Sequence, residues 1–294
     1  GYDRLITNAY TLSTCIGVER TIHHLEAFQE CDQFLLLHTM DAHPWAAHTF
    51  QLPLTTQTNF ELQERSMKDE KKRTSVYLPN RPIYHHWNEQ GIRDVDQALK
   101  KLFDYLTTHY AEDEYIVQLY SDHGVPIYDE KNYILSEHQT GAALMLRGAG
   151  IPVKGFVDEL TSAVDVYPIL AHCADFSVGK NVAGNLPEVF GGKARDYVIS
   201  MSMYPGIPLR LCIRTKEYEC RAESQEALDE DGRTNLDDMS LAVYCRNSQQ
   251  KIQSPELQDY FQKIIDEFSI KINNHGMQWP EMREKRKEWF EQGK

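Results

Sequence analysis

The sequence has no CxxC pair, no internal repeat, no low-complexity tract and no run of about 18 consecutive apolar residues. Each absence removes a class. Without CxxC there is no zinc ribbon, and the six scattered cysteines (Cys15, Cys31, Cys173, Cys212, Cys220, Cys245) read as free, mostly buried thiols. Without a long apolar run, nothing reads as a transmembrane segment. The opening residues, Gly1-Tyr2-Asp3-Arg4-Leu5, have neither the charged nor the apolar part of a signal peptide, so the chain reads as a mature, trimmed or cloned fragment. Basic residues are also short: 31 Lys and Arg stand against 44 Asp and Glu, a formal net charge of -13. That excludes a general nucleic-acid binder, which needs a basic surface. It does not exclude a small anionic substrate, because one bound cation outweighs distant surface carboxylates.

Apolar material is sufficient for a core, at 41% hydrophobic and 11% aromatic residues. A length of 294 residues fits one large or two modest domains. Phe34-Leu35-Leu36-Leu37-His38 is a short apolar run ending in a polar loop, Thr39 to His48, and predicts a buried parallel strand. Residues 51–90 are polar and predict an irregular surface excursion. Ile92, Val95, Leu99, Leu102, Phe103 and Leu106 recur at helical spacing and predict a helix over 92–109. Strands are expected at 115–120 and 142–146, and a helix over 161–174. This alternation indicates an α/β domain with a mostly parallel sheet and flanking helices over residues 1–194. Beyond 195 the pattern changes to short strands at 197–200, 209–214, 218–221 and 241–245, with Thr215-Lys216-Glu217 as a hairpin connection. Ser254-Pro255-Glu256 then starts a helix running to about Lys271. Residues 195–294 are therefore expected to form a small antiparallel sheet packed with one helix.

Functional groups of open α/β sheets gather in loops after the strands. Two loops fit: His38 to Trp45, and Ser121-Asp122-His123-Gly124. An Asp-His pair offers one carboxylate oxygen and one imidazole nitrogen to the same cation. Alone, Asp-His-Gly is a weak signal and reads first as an exposed turn. His85-His86 reads as a surface pair, and His23, His24 and His172 as helix packing or solvent residues. His38 and His48 are candidates for supporting the first loop. Asp96 and Asp165 read as caps or ion-pair partners.

Six ordered segments change the weighting. "FLLLHTMDAHPW", "DVDQALKKLFDYL", "YIVQLYSDHG", "YDEKNYILSEHQTGAALMLRGAGIP", "TSAVDVYPILAHCA" and "GNLPEVFGG" resemble consecutive landmarks of the sulfatase family of the alkaline phosphatase superfamily, and "RLCIRTKEYECR" is similar to a strand pair of its C-terminal subdomain. The resemblance implies that Asp122 and His123 are ligands of one divalent metal ion, Ca²⁺ or Mn²⁺. It implies that His43 protonates the leaving oxygen, and that His138 holds the transferring group where sulfatases often have lysine. The implied reaction is metal-dependent hydrolysis of a small anionic sulfate ester, such as a sulfated sugar. Many sulfatases have Asp-Asn where this chain has Asp122-His123; Asp-His resembles relatives such as choline sulfatases, phosphonate monoester hydrolases and phosphoglycerol transferases, which widens the implied substrates to phosphodiesters and phosphonate monoesters. A noncatalytic remnant of the fold, kept for binding or assembly, is the other reading.

The family's nucleophile motif, Cys-x-Pro-Ser-Arg, is not present; Cys15 stands in Thr14-Cys15-Ile16-Gly17 and reads as coincidence. Gly1-Tyr2-Asp3 resembles a position in the middle of the family's fold. The chain is therefore expected to be a C-terminal portion carrying half of the metal site, inactive and weakly metal-binding alone. Its missing N-terminal segment would be supplied in cis, or an unpaired strand edge would lead to a homo-oligomer.

Overall fold

The computed structural model describes residues 13–42, 81–125, 135–180, 182–203, 208–229, 233–277 and a few positions after 283. Helix α1 spans Thr14–Ala27, and α2 spans Arg81–His109. In α1 the buried residues Thr14, Gly17, Val18, Thr21 and Leu25 follow the helical period, so one stripe faces inward. Val18 and Leu25 pack with Ala98, Leu102, Tyr105 and Leu106 of α2. The second helix starts eleven residues before the expected boundary. His85 and His86 therefore lie on a helix and not in an irregular excursion.

The expected strand at 34–38 is not a strand. Its burial alternates, with Leu35 and Leu37 against the helices and Phe34 and Leu36 each 69% exposed. The period of two is that of extended chain, but no ladder partner flanks it among the described residues, and a strand requires one. Gly17 allows this segment to approach, since a Cβ there would lie 2.8 Å from Leu37 Cδ1.

Strands β1 (Ile116–Tyr120) and β2 (Leu144–Gly148) pair antiparallel, from Ile116 opposite Gly148 to Tyr120 opposite Leu144. The expected mostly parallel sheet is not seen among the described residues, where both sheets are antiparallel. Period and composition show that a segment is extended; they do not show which way its neighbour runs. Between these strands lies α3 (Glu137–Thr140). A 3₁₀ turn at Ala163–Asp165 leads into α4 (Val166–Cys173), within the expected range of 161–174.

Strands β3 (Val198–Ser202), β4 (Leu209–Arg214), β5 (Tyr218–Ser224), β6 (Ser240–Cys245) and β7 (Lys251–Ile252) form a five-stranded antiparallel meander in sequence order. Helix α5 (Pro255–Met277) covers one face. Ser254 Oγ accepts the N–H of Leu257 at 3.3 Å, as expected for an N-cap. Leu209, Leu211 and Ile213 share that face with Cys220, Ala222 and Val243, and pack on Phe261, Ile264 and Ile265. Full burial of each large aliphatic or aromatic side chain contributes about 1.5–3 kcal/mol.

The opposite face is ionic. Arg214 stands across from Glu219, and Arg210 across from Glu223. Their Nε atoms donate to the opposing carboxylates at 2.7 and 2.6 Å. None of the six cysteines is in a disulfide, but only Cys212 and Cys220 are buried; the expectation of mostly buried thiols is corrected, because the others lie on partly covered surfaces or, for Cys31, on an exposed one. Among the described residues no helix is long and apolar enough to cross a membrane.

Candidate functional site

The loop after β1 is held by its own backbone. Ser121 N donates to Ala143 O at 3.1 Å, and Ala143 N donates to Ser121 Oγ at 2.8 Å. Asp122 then turns outward, its side chain 84% exposed, with Oδ1 accepting the N–H of His123 at 2.9 Å. His123 Nδ1 lies 2.6 Å from Gly124 O. A carbonyl only accepts, so the proton of a neutral ring sits on Nδ1 and the lone pair is left on Nε2. That Nε2 lies 3.7 Å from Asp122 Oδ2.

Gly124 closes the loop against a second wall. Its N–H donates to Gln139 O at 2.9 Å. A Cβ on Gly124 would lie 2.0 Å from His138 O and 2.6 Å from Gly141 O, so only glycine fits. The wall itself is α3, capped by Ser136, whose Oγ accepts the N–H of Gln139 at 3.2 Å. His138 lies exposed on this turn. The Gln139 amide reaches to 3.5 Å from His123 Nδ1.

The ionic face of the C-terminal sheet holds α3 from behind. Arg214 donates through one terminal nitrogen to Thr140 Oγ1 and through the other to Leu135 O. Burial works against its charge, but Cys212 and Glu219 outweigh that, so its pKa lies above the ordinary arginine value. Arg246 donates to Glu137 Oε1, and also to Thr215 O at 3.0 Å.

Of the four residues expected from sequence, Asp122 and His123 meet directly, and the backbone of His138 lies against the same loop. His43 lies outside the described residues. The stem of its loop is fixed: Asp41 is bonded to Thr14, Asn88 Nδ2 donates to Ala42 O, and Gly91 of α2 lies against Asp41 O. Gln139, Thr140, Arg214 and Arg246 were missed by sequence reasoning. A signal for Arg214 was available: Arg210 and Arg214, four residues apart on one strand, face Glu223 and Glu219, four apart on the next.

Asp122 Oδ2 and His123 Nε2 suit a shared cation. Metal–ligand distances of about 2.0–2.5 Å put neighbouring donors about 3–3.5 Å apart, close to the spacing seen. Two donors are half of a coordination shell or less, and no group of three or more His, Cys, Asp or Glu is arranged to hold a metal among the described residues. A family model described as Sulfatase matches residues 18–176, more than half of the chain. The chain belongs to the sulfatase family. A search of curated proteins found no match. Membership implies the alkaline phosphatase-like α/β fold and hydrolysis of sulfate esters or a related reaction of the superfamily, and sulfatases generally use a divalent metal ion.

Proposed function

We propose that this sulfatase-family chain serves metal-dependent hydrolysis of sulfate esters, with Asp122 and His123 as two ligands of one divalent cation. The observation that carries the reading is the approach of Asp122 Oδ2 to His123 Nε2 at 3.7 Å, with the other ring nitrogen engaged by Gly124 O. The family resemblance points to Ca²⁺ or Mn²⁺; the carboxylate oxygen suits either ion, and the imidazole weighs toward Mn²⁺. When bound, the cation supplies electrostatic stabilisation to the ester oxygens. Asp122 brings negative charge to the cation and fixes the backbone of His123. His123 keeps its Nδ1 proton on Gly124 O, which holds the ring in the ligating tautomer. His138, on the facing turn, donates a hydrogen bond to a nonbridging oxygen of the substrate, and His43 donates a proton to the leaving alcohol. The substrate is a small anionic ester, a sulfated sugar or similar. The local cation offsets the formal charge of -13 that would otherwise repel it.

The pairing of Asp with His at 122–123 keeps a second reading in play, hydrolysis or transfer at phosphorus by a phosphodiesterase-like relative. The test is a panel of aryl sulfates, phosphodiesters and phosphonate monoesters on the full-length protein, with Ca²⁺ or Mn²⁺ and with each removed by chelation. Metal-dependent sulfate release, lost in Asp122→Ala and His123→Ala, is the expected result. Dominant phosphodiester turnover moves the chemistry to phosphorus. Metal binding with no turnover of any ester leaves a binding role for the fold.

A further inference from the structure

We propose that Arg214, on β4 of the C-terminal sheet, is a positioning residue for the Asp122–His123 pair, acting through Thr140. The inference rests on the metal-pair reading above and adds to it the element that sets the pair's geometry.

All three guanidinium nitrogens of Arg214 are used, and each holds a different segment. Nε donates to Glu219 Oε2 at 2.7 Å, one terminal nitrogen donates to Thr140 Oγ1, and the other donates to Leu135 O. Leu135 and Thr140 bracket the turn that carries His138 and Gln139. The fork is itself clamped: Glu219 Oε1 accepts from Arg221 Nε at 2.6 Å, and the Arg221 guanidinium lies over the Tyr244 ring at 4.5 Å. Arg214 and Glu219 are 5% and 2% exposed. At such burial, charge-assisted hydrogen bonds are strong, directional and little screened by salt.

From the turn the constraint passes to the site through two backbone contacts. Gln139 O accepts the N–H of Gly124 at 2.9 Å, and His138 O occupies the space that a Cβ on Gly124 would need. Gly124 in turn carries the carbonyl that takes the Nδ1 proton of His123. A shift of the turn therefore moves the group that selects the ring's tautomer, and with it the direction of the Nε2 lone pair. Among the described residues Arg214 bonds to Glu219, Thr140 and Leu135 and not to the pair itself. The alternative is a purely structural tie between sheet and turn, which would change stability and leave His123 alone.

The experiment uses full-length protein labelled with ¹⁵N-histidine. Nitrogen shifts report the tautomer of His123, and Mn²⁺ broadening of the same signals reports binding. Three variants are compared with wild type: Thr140→Val, which removes the acceptor of Arg214 together with the hydroxyl's own bond to Ser136 O, Thr140→Ser, which keeps both, and Arg214→Lys, which leaves the Ser136 bond intact while its single point charge cannot span both partners. Thr140→Val and Arg214→Lys are expected to lose the Nδ1-protonated form in favour of the Nε2-protonated form and to weaken Mn²⁺ binding by about tenfold, the lower end for residues that orient metal ligands. Thr140→Ser is expected to match wild type. If Arg214→Lys does not fold, the two Thr140 variants carry the test. A folded Thr140→Val with the wild-type tautomer and Mn²⁺ affinity overturns the proposal. If the tautomer moves in Thr140→Val while Mn²⁺ leaves wild-type His123 sharp, the positioning role stands and the metal reading falls.

Discussion

The carboxylate of Asp41 accepts the backbone N–H of Thr14 at 2.6 Å and also takes its hydroxyl in a short hydrogen bond, 27 residues away in sequence. Ser13, the residue at the N-cap of α1, makes no side-chain cap bond of its own. Asp41 fills that role from the loop before His43, placing a negative charge at the positive end of the helix. Asp41→Ala is expected to lower stability by about 1–2 kcal/mol, as for loss of a cap. Asp41→Asn should lose less, because an amide oxygen still accepts. Urea unfolding followed by circular dichroism measures both, and equal stability of all three proteins would refute the capping role.

Asp165 is 1% exposed and accepts four hydrogen bonds: from Ser162 N, from Asn185 N and two from the Arg195 guanidinium. Asp165→Ala strips a partner from three segments at once. Its expected loss is about 3–5 kcal/mol, the range for breaking a buried charged pair. Arg195→Met should be milder, since two backbone N–H groups still hold the carboxylate. The order of the two denaturation midpoints decides, and the reverse order would count against this account.

Gly124→Ala places a methyl group where His138 O and Gly141 O already stand. The expected result is a stability loss of about 1–3 kcal/mol, the usual range for overpacking. Mn²⁺ binding should weaken as well, because the loop retreats from α3. Unchanged thermal unfolding in Gly124→Ala would mean that the two walls are not in contact in solution.

The thiols give a pH dependence. Burial first, then the neighbouring Cys212 and Glu219, push the Cys220 thiol up to about 12 from an ordinary 9.0. A raised folded-state pKa contributes stability that is fully present below the unfolded value, and that contribution is lost as pH rises from about 9 through about 12. Burial raises Tyr197 and Tyr260 as well, which adds to the same alkaline trend. Cys245 moves the other way, its thiolate favoured by hydrogen bonds from the Ser248 side chain and backbone. Iodoacetamide at neutral pH should therefore modify Cys245 readily and spare Cys220, as read by peptide mass spectrometry. Alkylation of Cys220 in the folded protein below pH 9 would contradict its placement.

The legibility of this chain divides along physical lines. Where a residue's neighbours are local, sequence sufficed: Ser254-Pro255 opens α5, and Leu209–Arg214 is a strand with the expected ends. The expected bounds of helix α2 fall short because Arg81 to Gln90 read as part of the polar stretch before them, although Ile83, Tyr84 and Trp87 stand there at helical spacing. The segment Phe34 to His38 has the composition of a strand, but strand formation depends on a partner elsewhere in the chain. The adjacent Asp122 and His123 could be read as a pair because covalent neighbours stay close. Arg214 and Thr140 are 74 residues apart, and nothing local to either announces the other.

The five-stranded sheet is apolar toward α5 and charged toward α3, and this fixes more than a contact. Side chains alternate faces along a strand, so a slip of β4 by one residue would turn Arg210 and Arg214 toward Phe261 and Ile265, and bring Leu211 and Ile213 among the carboxylates of β5. Such a misaligned sheet would bury unpaired charge and expose hydrocarbon together. The ionic face thus specifies alignment as well as contact: the neighbouring registers of the hairpin carry an energetic penalty on both faces at once.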